Sequence, residues 1–550
     1  MSVLPKLLTP NVFTSKIGCL SASFHSTALP KNDIIEDSIN QQIDQLSMFD
    51  PDQNIIALSL SKSPLKSNQR DEYLSRKLPK VKEIFGTDPK YPTLISHHIP
   101  PSHPSPFHDG LLPDSPPQRA KRLSVTSLLT KSWCELRSAY DIYSQMPRFT
   151  TVQLLSGTKE HSKLEVKSHP INLKLKEVNH DLSVPKDRII DQWSQTILRL
   201  VSMFQIGEAR EIPCFAFVDI VKENFPIMDN LSVEDWQVIL NKTNSTESND
   251  PTSQYVMISG IIDHLKLNET SSGFPLSSDV NSKNFELDIN DLLQTINDSI
   301  EQNNWEIQVA DIKTRQTFKP PTQTSVVKTS KLQVMYYNKL LSVLGQDPNV
   351  TYETLILNAY KRGYNVDEPL NPLKVFSLMT ETPFLICDMK RLQNGEPIGF
   401  SLFDKFNENN SKIPTDLSSY IDQIKGVGMD HLLEFCRSWE TPVTMRYLAV
   451  RMSQLYHLIG KILSKNLIIE YYCRGANFHN IYFQYNDEIF NAQHVDSLKF
   501  WFGKRDIEPF EPTIYNFTTF CKNCDYRDVC SWKRKGEDIC KEMGKSFHQL

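Results

Sequence analysis

Apolar positions along the chain alternate in some stretches and recur at helical spacing in others. Two runs of apolar and β-branched residues bounded by polar residues have the length and composition of strands, QYVMISGIIDHL at 254–265 and WEIQVADIKTR at 305–315. From about 345 to 470 the spacing is mainly helical, and a strand pair (NLIIEYYCR, then HNIYFQYN) and another helix follow. The pattern predicts an α/β fold, and the lack of an internal repeat argues against a solenoid.

Polar and proline-rich stretches indicate where the folded part begins. Residues 91–118 are dense in Pro, Ser and His, so we expect a linker there, within a disordered region over 33–120. Folded structure is predicted from near Leu123, where SVTSLLTKSWCELRSAYDIY has helical spacing behind a Ser/Thr start. Stretches rich in Asn, Ser and Thr at 241–253 and 267–285 are typical of surface insertions that interrupt a domain without dividing it.

Composition and charge restrict the classes of function. The chain has 550 residues, 39% of them hydrophobic, which suffices for one large domain or two ordinary ones. No run reaches the roughly 18 apolar residues of a membrane span, so no membrane partner is expected. The net charge of −5 gives no general attraction to nucleic acid, so a DNA-binding surface would have to be a local groove. Ten cysteines are too few for a disulfide scaffold, which favours a reducing compartment.

The N-terminal residues 1–32 have the composition of a mitochondrial targeting peptide. The first acidic residue is Asp33, and lysines, serines, threonines and apolar residues precede it. Such peptides favour arginine, yet no arginine precedes Arg70. A disordered N-terminus that happens to lack acids is therefore the alternative to a targeting peptide and a location in the mitochondrial matrix.

Two acidic residues and a lysine in the two predicted strands form a candidate catalytic group. Asp263 follows Gly260 near the end of the first strand, and Asp311 and Lys313 lie two apart on the second, so the latter pair shares a face. Carboxylates on adjacent strands would make an all-oxygen site suited to Mg²⁺ or Mn²⁺, and the lysine could orient the attacking water. Because Asp-x-Lys also occurs by chance on solvated strand faces, this interpretation depends on its neighbours.

Two pairs of polar residues at helical spacing accompany this group. Gln333 and Tyr337 in KLQVMYYNK are four apart and share one helix face, as do His161 and Glu165 in GTKEHSKLE. Both pairs could face the carboxylates. For His161, a satisfied histidine on a helix surface or in the core is the alternative.

Three cysteines near the C-terminus have the spacing of a metal site. Cys521, Cys524 and Cys530 lie within ten residues, and such a group needs a fourth ligand. Four-cysteine sites are most often zinc sites made of two close pairs, while three close cysteines and one remote partner fit an iron–sulfur cluster at least as well. Cys134 and Cys540 are the rivals for the fourth position, and Cys540 follows a charged segment typical of a solvated tail.

The order of these motifs resembles a known nuclease family. Each motif is loose, but the series is similar to that of the PD-(D/E)xK nucleases of the RecB type. It runs Gly157, His161 and Glu165, then Gly260 and Asp263, then Asp311 and Lys313, then Gln333 and Tyr337. The segment DIKTR followed by LQVMYYNKLL is similar to the sequence pattern of the exonuclease V family in its mitochondrial fungal form. The resemblance covers about residues 123–533.

The resemblance implies a domain organisation and an iron–sulfur cluster. It implies a PD-(D/E)xK nuclease core over 121–345, with a mixed central sheet flanked by helices. A mainly helical part with the late strand pair would cover 346–510, and a cluster-binding C-terminus and tail 511–550. A [4Fe–4S] cluster would join the N- and C-terminal parts of the domain through Cys134, Cys521, Cys524 and Cys530, since the neighbourhood of Cys134 resembles that of the family's first cysteine.

The resemblance also implies roles for the candidate catalytic residues. Asp263 and Asp311 would bind Mg²⁺ or Mn²⁺, with Glu165 and His161 as further metal contacts. Lys313 would be the catalytic lysine. Gln333 and Tyr337 would lie near the scissile phosphate.

A stand-alone nuclease is expected, because the chain lacks a nucleotide-binding loop: position 539 is Ile where the glycine preceding Gly544-Lys545-Ser546 should be. The resemblance implies a Mg²⁺-dependent exonuclease for single-stranded DNA, acting 5′ to 3′ in mitochondrial genome maintenance. We expect a monomer, with a single-strand-binding protein as a further partner. The alternatives are a non-catalytic nucleic-acid-binding scaffold with a nuclease fold and a structural zinc protein.

Four basic residues beside aromatic residues are predicted to contact DNA, because cations can neutralise phosphates while aromatic rings stack on bases. They are Arg315, Arg474, Lys504 and Arg505. The alternative is that the aromatic residues belong to the core and that Lys504 and Arg505 interact with a helix dipole.

Overall fold

The computed structural model describes most of the chain from residue 67 onward. The described residues are 67–111, 121–146, 152–169, 187–225, 255–268, 288–410, 439–511 and 513–547. The predicted targeting peptide, the predicted insertion at 241–253 and most of the one at 267–285 lie outside these ranges. None of the helices in the described part combines the length and hydropathy needed to cross a bilayer.

A mixed sheet forms the centre of the fold. Its strands are β1 (Leu123–Ser124), β2 (Glu208–Asp219), β3 (Tyr255–Asn268), β4 (Glu306–Thr314), β5 (Asn466–Cys473) and β6 (Ala476–Gln484). β2 runs antiparallel along β3, whose other edge pairs with β1 in parallel and with β4 in antiparallel orientation. β4 is parallel to β5, and β5 is antiparallel to β6. The predicted mixed central sheet is confirmed.

Helices flank the sheet. They are α1 (Ser67–Phe85), α2 (Glu135–Tyr143), α3 (Val152–Ser168), α4 (Asp187–Ile206), α5 (Ile289–Gln302), α6 (Thr324–Leu344), α7 (Pro348–Lys361), α8 (Pro372–Glu381), α9 (Ile386–Gln393), α10 (Ser401–Asn410), α11 (Met445–Lys461), α12 (Asp487–Trp501), α13 (Ile514–Thr519) and α14 (Ser531–Phe547). α6 lies against β2, β3, β4 and β5 and buries Leu332, Tyr336 and Leu340, so it is fixed on the sheet by apolar contacts. α3 and α4 also contact β2.

The late strand pair belongs to the central sheet. β5 lies directly beside β4, with Lys313 opposite Tyr471 in the register. Parallel neighbours require a crossover connection, and here the helices between residues 324 and 461 provide it. The central sheet therefore includes strands from both sides of the predicted boundary at residue 345, because β5 and β6 extend it beyond β4.

Residues 67–111 are folded, so the prediction of disorder over 33–120 is wrong for this part. α1 begins at Ser67, and farther along Ile95 forms a parallel bridge with Cys530. Ile95 and Phe107 are buried in the core. The order of this segment depends on contacts with distant parts of the chain, which a search for periodic apolar positions cannot detect.

A buried ion pair holds the residues after α12 against the start of α2. Arg505 donates from Nη1 and Nη2 to the carboxylate of Glu135, at 2.7 and 2.6 Å. The amide of Glu508 donates to the same carboxylate at 2.6 Å, and the Glu135 side chain is completely buried. The structure thus gives Arg505 a structural role instead of the predicted DNA contact.

Replacing Arg505 with alanine should lower the free energy of unfolding by about 3–5 kcal/mol, because Glu135 would stay buried without a compensating charge. Lys504→Ala is the matched control. Lys504 pairs with Glu223 at 3.1 Å where its side chain is 38% exposed, so the loss there should stay below about 1 kcal/mol. Urea unfolding of both variants measures the difference, and equal losses would contradict the structural role of Arg505.

Candidate active site

Strands β3 and β4 separate where they carry the predicted carboxylates. They pair only between residues 264–268 and 306–310, and β4 then continues beside β5. Asp263 and Asp311 are the first residues beyond this pairing. Oδ2 of Asp263 accepts a hydrogen bond from the amide of Ile312 at 2.8 Å, which spans the opening between the two strands.

The predicted lysine, glutamine and tyrosine form a connected chain with one carboxylate. Nζ of Lys313 lies 2.7 Å from Oδ2 of Asp311 and donates to Oε1 of Gln333 at 2.9 Å. Nε2 of Gln333 in turn donates to the hydroxyl of Tyr337 at 2.8 Å. The helical spacing of Gln333 and Tyr337 on α6 therefore brings both to the carboxylates, as the sequence predicts.

Gly260 lets the tyrosine approach the sheet closely. A Cβ atom at this position would lie 2.7 Å from Cε1 of Tyr337 and 2.9 Å from Cγ2 of Val125. Any larger residue would push the ring of Tyr337 away from β3. The glycine of the Gly260-x-x-Asp263 motif thus has a packing function.

Asp311 is buried and Asp263 is half-buried, and this burial shifts their pKa values. Burial raises the pKa of Asp311, the charge of Lys313 opposes that rise, and the charge of Asp263 adds to it. Burial also raises the pKa of Asp263, again against Lys313. For Lys313, burial alone would lower the pKa, but the two carboxylates raise it. The lysine is therefore held in its charged form.

Asp311 has the properties expected of a cation ligand. Its side chain is 0% exposed, and neither carboxylate oxygen has a hydrogen-bond partner of normal geometry among the described residues, although Lys313 lies within ion-pair distance. Leaving such oxygens without partners is costly. A bound divalent cation would satisfy them.

Glu211 is a candidate ligand that sequence reasoning missed. It lies on β2 opposite Asp263, between the paired residues Arg210 and Ile212. Its φ of 55° is a left-handed conformation, rare for a residue other than glycine and often found at functional sites. Ligand atoms of His161, Glu211 and Asp263 all lie within 4.8 Å of one another. Nothing in the sequence around Glu211 signals this conformation.

His161 lies in this group, so the structure places it beside Asp263 and Glu211. Burial lowers the pKa of His161, although the charge of Asp311 opposes the change. The neutral imidazole that burial favours is the form that binds metal ions.

Glu165, predicted as a further metal contact, instead forms an ion pair with an arginine. Its carboxylate pairs with Arg199, and Nη1 of Arg199 donates to the carbonyl oxygens of Arg210 and Glu211 at 3.3 and 3.1 Å. Glu165 is not part of the group around Asp263. Through Arg199 it supports the left-handed backbone of Glu211.

The four predicted cluster cysteines line a single cavity, and Cys540 does not. Burial raises the pKa of Cys530 to about 12 and that of Cys524 to about 11, and the neighbouring thiols contribute to both shifts. Among the described residues these sulfurs do not form a group of three within 4.8 Å of one another. Aromatic side chains complete the wall of the cavity: Trp133, Tyr140, Phe520, Tyr526 and Trp532.

Segments from both ends of the described chain enclose this cavity. The amide of Ile95 donates to the carbonyl of Val529 at 2.7 Å. Nδ1 of His97 lies 2.9 Å from Oγ of Ser531. The hydroxyl of Tyr526 donates to Asp141 on α2 at 2.7 Å. The cysteines are thus held where the N-terminal segment, α2 and the C-terminus meet.

The predicted DNA contacts fall into two groups. Arg315 follows the active-site strand, with its guanidinium 5.7 Å from the ring centroid of Tyr471, and Arg474 is exposed at the turn between β5 and β6. Lys504 donates to the carbonyl of Ile220 and pairs with Glu223, while Arg505 is engaged by Glu135. Only the first group remains near the candidate active site.

Comparison with known proteins identifies relatives along most of the chain. The family model described as "Exonuclease V - a 5' deoxyribonuclease" matches residues 116–533. A Vanderwaltozyma polyspora protein named "Exonuclease V, mitochondrial" is 38% identical over 542 residues, covering 94% of this chain and 93% of the relative. The equally named Saccharomyces cerevisiae protein is 36% identical over 571 residues, covering 96% and 92%. A third, from Eremothecium gossypii, is 39% identical over 446 residues, covering 79% and 80%. The resemblance to exonuclease V is confirmed, and the chain belongs to the exonuclease V family.

Proposed function

We propose that this chain is a mitochondrial exonuclease that hydrolyses single-stranded DNA from the 5′ end with the help of Mg²⁺. Family membership makes it a hydrolase acting on the ester bonds of DNA. The observation that carries the proposal is the connected group of Asp311, Lys313, Gln333 and Tyr337 beside Asp263. The family description as a 5′ deoxyribonuclease supports the direction, and the names of the relatives support the compartment.

Four side chains would hold the metal ion: His161, Glu211, Asp263 and Asp311. The spacing of the first three and the unsatisfied oxygens of Asp311 support this assignment. When bound, Mg²⁺ lowers the pKa of a coordinated water and offsets charge on the phosphate. Lys313, charged and held between Asp311 and Gln333, orients the nucleophilic water or stabilises the developing negative charge.

The two alternative functions have less support. A non-catalytic scaffold has no need of a buried carboxylate pair, which costs stability unless a cation is bound. A structural zinc protein of unrelated fold would not have the nuclease sheet. We further propose that the protein acts as a monomer in the mitochondrial matrix, and that a single-strand-binding protein is its partner on DNA.

Lys313→Ala should abolish digestion of end-labelled single-stranded DNA in the presence of Mg²⁺. The substitution removes the ammonium group that assists the attacking water and the phosphate. General electrostatic assistance of this kind is worth about 10²-fold or more. Lys465→Ala is the control, since Lys465 is 75% exposed and pairs only loosely with Asp487 at 3.7 Å. Full activity of Lys313→Ala in a preparation free of other nucleases would refute the mechanism.

Glu211→Gln should weaken Mn²⁺ binding and shift the Mg²⁺ dependence of cleavage to higher concentration, because one negative ligand is lost. Glu223→Gln is the matched control. Glu223 has the same φ of 55° but pairs with Lys504. Calorimetric titration measures the Mn²⁺ affinity of both variants, and thermal melting measures their stability. A metal ligand loses Mn²⁺ affinity, whereas a structural residue lowers the melting temperature. Equal Mn²⁺ affinity of Glu211→Gln and the unmodified protein would remove Glu211 from the site.

We also propose that Cys134, Cys521, Cys524 and Cys530 bind a [4Fe–4S] cluster. Three cysteines close together in the sequence and one remote cysteine line the same cavity, an arrangement suited to a cluster in which each cysteine binds a different iron. The raised pKa values of Cys524 and Cys530 mean that their protons must be released when the cluster binds.

Cys134→Ser should lose iron and visible absorption after anaerobic purification and should melt at a lower temperature, because the cluster would no longer link the start of α2 to the C-terminal cysteines. Cys540→Ser, whose side chain lies outside the cavity, should keep both. Iron and sulfide analysis with thermal melting measures the outcome. A zinc-loaded, colourless protein would contradict the cluster, and an unchanged melting temperature in cluster-free Cys134→Ser would contradict its structural role.

A further inference from the structure

A buried tyrosine connects the catalytic lysine to the hairpin formed by β5 and β6. Tyr471 is the register partner of Lys313, so the two side chains lie on the same face of the sheet. The ring is 0% exposed, and its hydroxyl has no hydrogen-bond partner of normal geometry among the described residues. Burial raises the pKa of Tyr471. The charge of Asp311 adds to this rise, and the charges of Arg315 and Lys313 oppose it. Tyr471 therefore lies beside the active site, between Lys313 and Arg315.

Two further aromatic rings lead from Tyr471 to the surface. The ring of Phe478, on β6, has its centroid 6.3 Å from that of Tyr471. Phe318, in the segment between β4 and α6, meets Phe478 edge to face at 5.7 Å. Phe318 is 57% exposed, which is unusual for so large an apolar side chain. We call Tyr471, Phe478 and Phe318 the aromatic row.

The segment that carries Phe318 is rich in basic residues. Residues 315–331 contain four basic residues and no acidic one, in a chain whose net charge is −5. Arg315 lies over the ring of Tyr471, and Arg474 is exposed at the turn of the same hairpin. Cations next to exposed aromatic rings are complementary to a single strand, which presents phosphates and unstacked bases together.

We propose that Phe318 and Phe478 stack on a base of the single-stranded substrate next to the scissile phosphate, and that Arg315 binds an adjacent phosphate. The proposal rests on the proposed nuclease function and specifies where the substrate strand is held. A π-face is common to all bases, so this contact selects unpaired DNA without selecting a sequence. The row ends at Tyr471 beside Lys313, which puts the bound nucleotide next to the catalytic group.

Binding of labelled oligonucleotides without divalent cations tests the proposal on the full chain. Phe318→Ala should bind an oligo(dT) strand about 5-fold or more weakly, which is the lower end of the effect of removing a ring that stacks on a base. Phe318→Trp keeps an aromatic ring and should retain binding. A strand of abasic residues should bind Phe318→Ala and the unmodified protein equally. Arg315→Gln should weaken both strands and reduce the slope of log affinity against log salt by about one.

Tyr482→Ala is the matched control. Tyr482 is 66% exposed on the same hairpin, but it is the partner of Ile468 in the register and so lies on the opposite face of the sheet from Tyr471. Its removal should leave binding unchanged. An equal loss of binding in Tyr482→Ala would overturn the proposal. It would favour an exposed β6 edge that pairs with a strand of another protein or contacts DNA non-specifically.

Two other results would also overturn the proposal. One is unchanged oligo(dT) binding by Phe318→Ala, and the other is an equal loss on oligo(dT) and on the abasic strand. Failure of the nuclease function itself appears differently, as an unmodified protein that does not cleave single-stranded DNA with Mg²⁺. A protein that cleaves while Phe318→Ala binds normally refutes the stacking contact alone.

Discussion

The burial of the Asp311 carboxylate inside the sheet is the constraint on which the active site depends. A buried charge is costly unless it is paired, and here the charge of Asp263 makes ionisation harder still. The surrounding structure compensates through Lys313, whose Nζ lies 2.7 Å from Oδ2 of Asp311. β3 and β4 separate at this point, so Asp263 and Asp311 stand at the end of the ladder and not within a continuous pairing.

This separation has consequences in the neighbouring elements. α6 crosses the sheet close enough for Gln333 and Tyr337 to reach Lys313, and that approach requires Gly260 on β3. On the other side, β2 turns Glu211 towards Asp263 through a strained backbone, which Arg199 supports through its hydrogen bonds. The strain is local, and the packing of the sheet and α4 against each other sustains it.

Sequence reasoning found the residues whose relations are local. Alternation along a strand puts Asp311 and Lys313 on one face, and helical spacing puts Gln333 beside Tyr337, so these placements follow from backbone geometry alone. Glu211 could not be found in this way. Its position depends on pairing between strands far apart in the sequence and on a φ value that no neighbouring residue dictates.

By itself, the sequence determined the alternating strands, the amphipathic helices and the motif order that resembles exonuclease V, because each is written in spacings of a few residues. Tertiary structure alone decided that residues 67–111 are ordered, that β5 completes the sheet beside β4, and that Arg505 neutralises Glu135. These features arise from contacts across most of the chain, whose free energy comes from burial and desolvation. Such contacts leave no periodic pattern in the segments that make them.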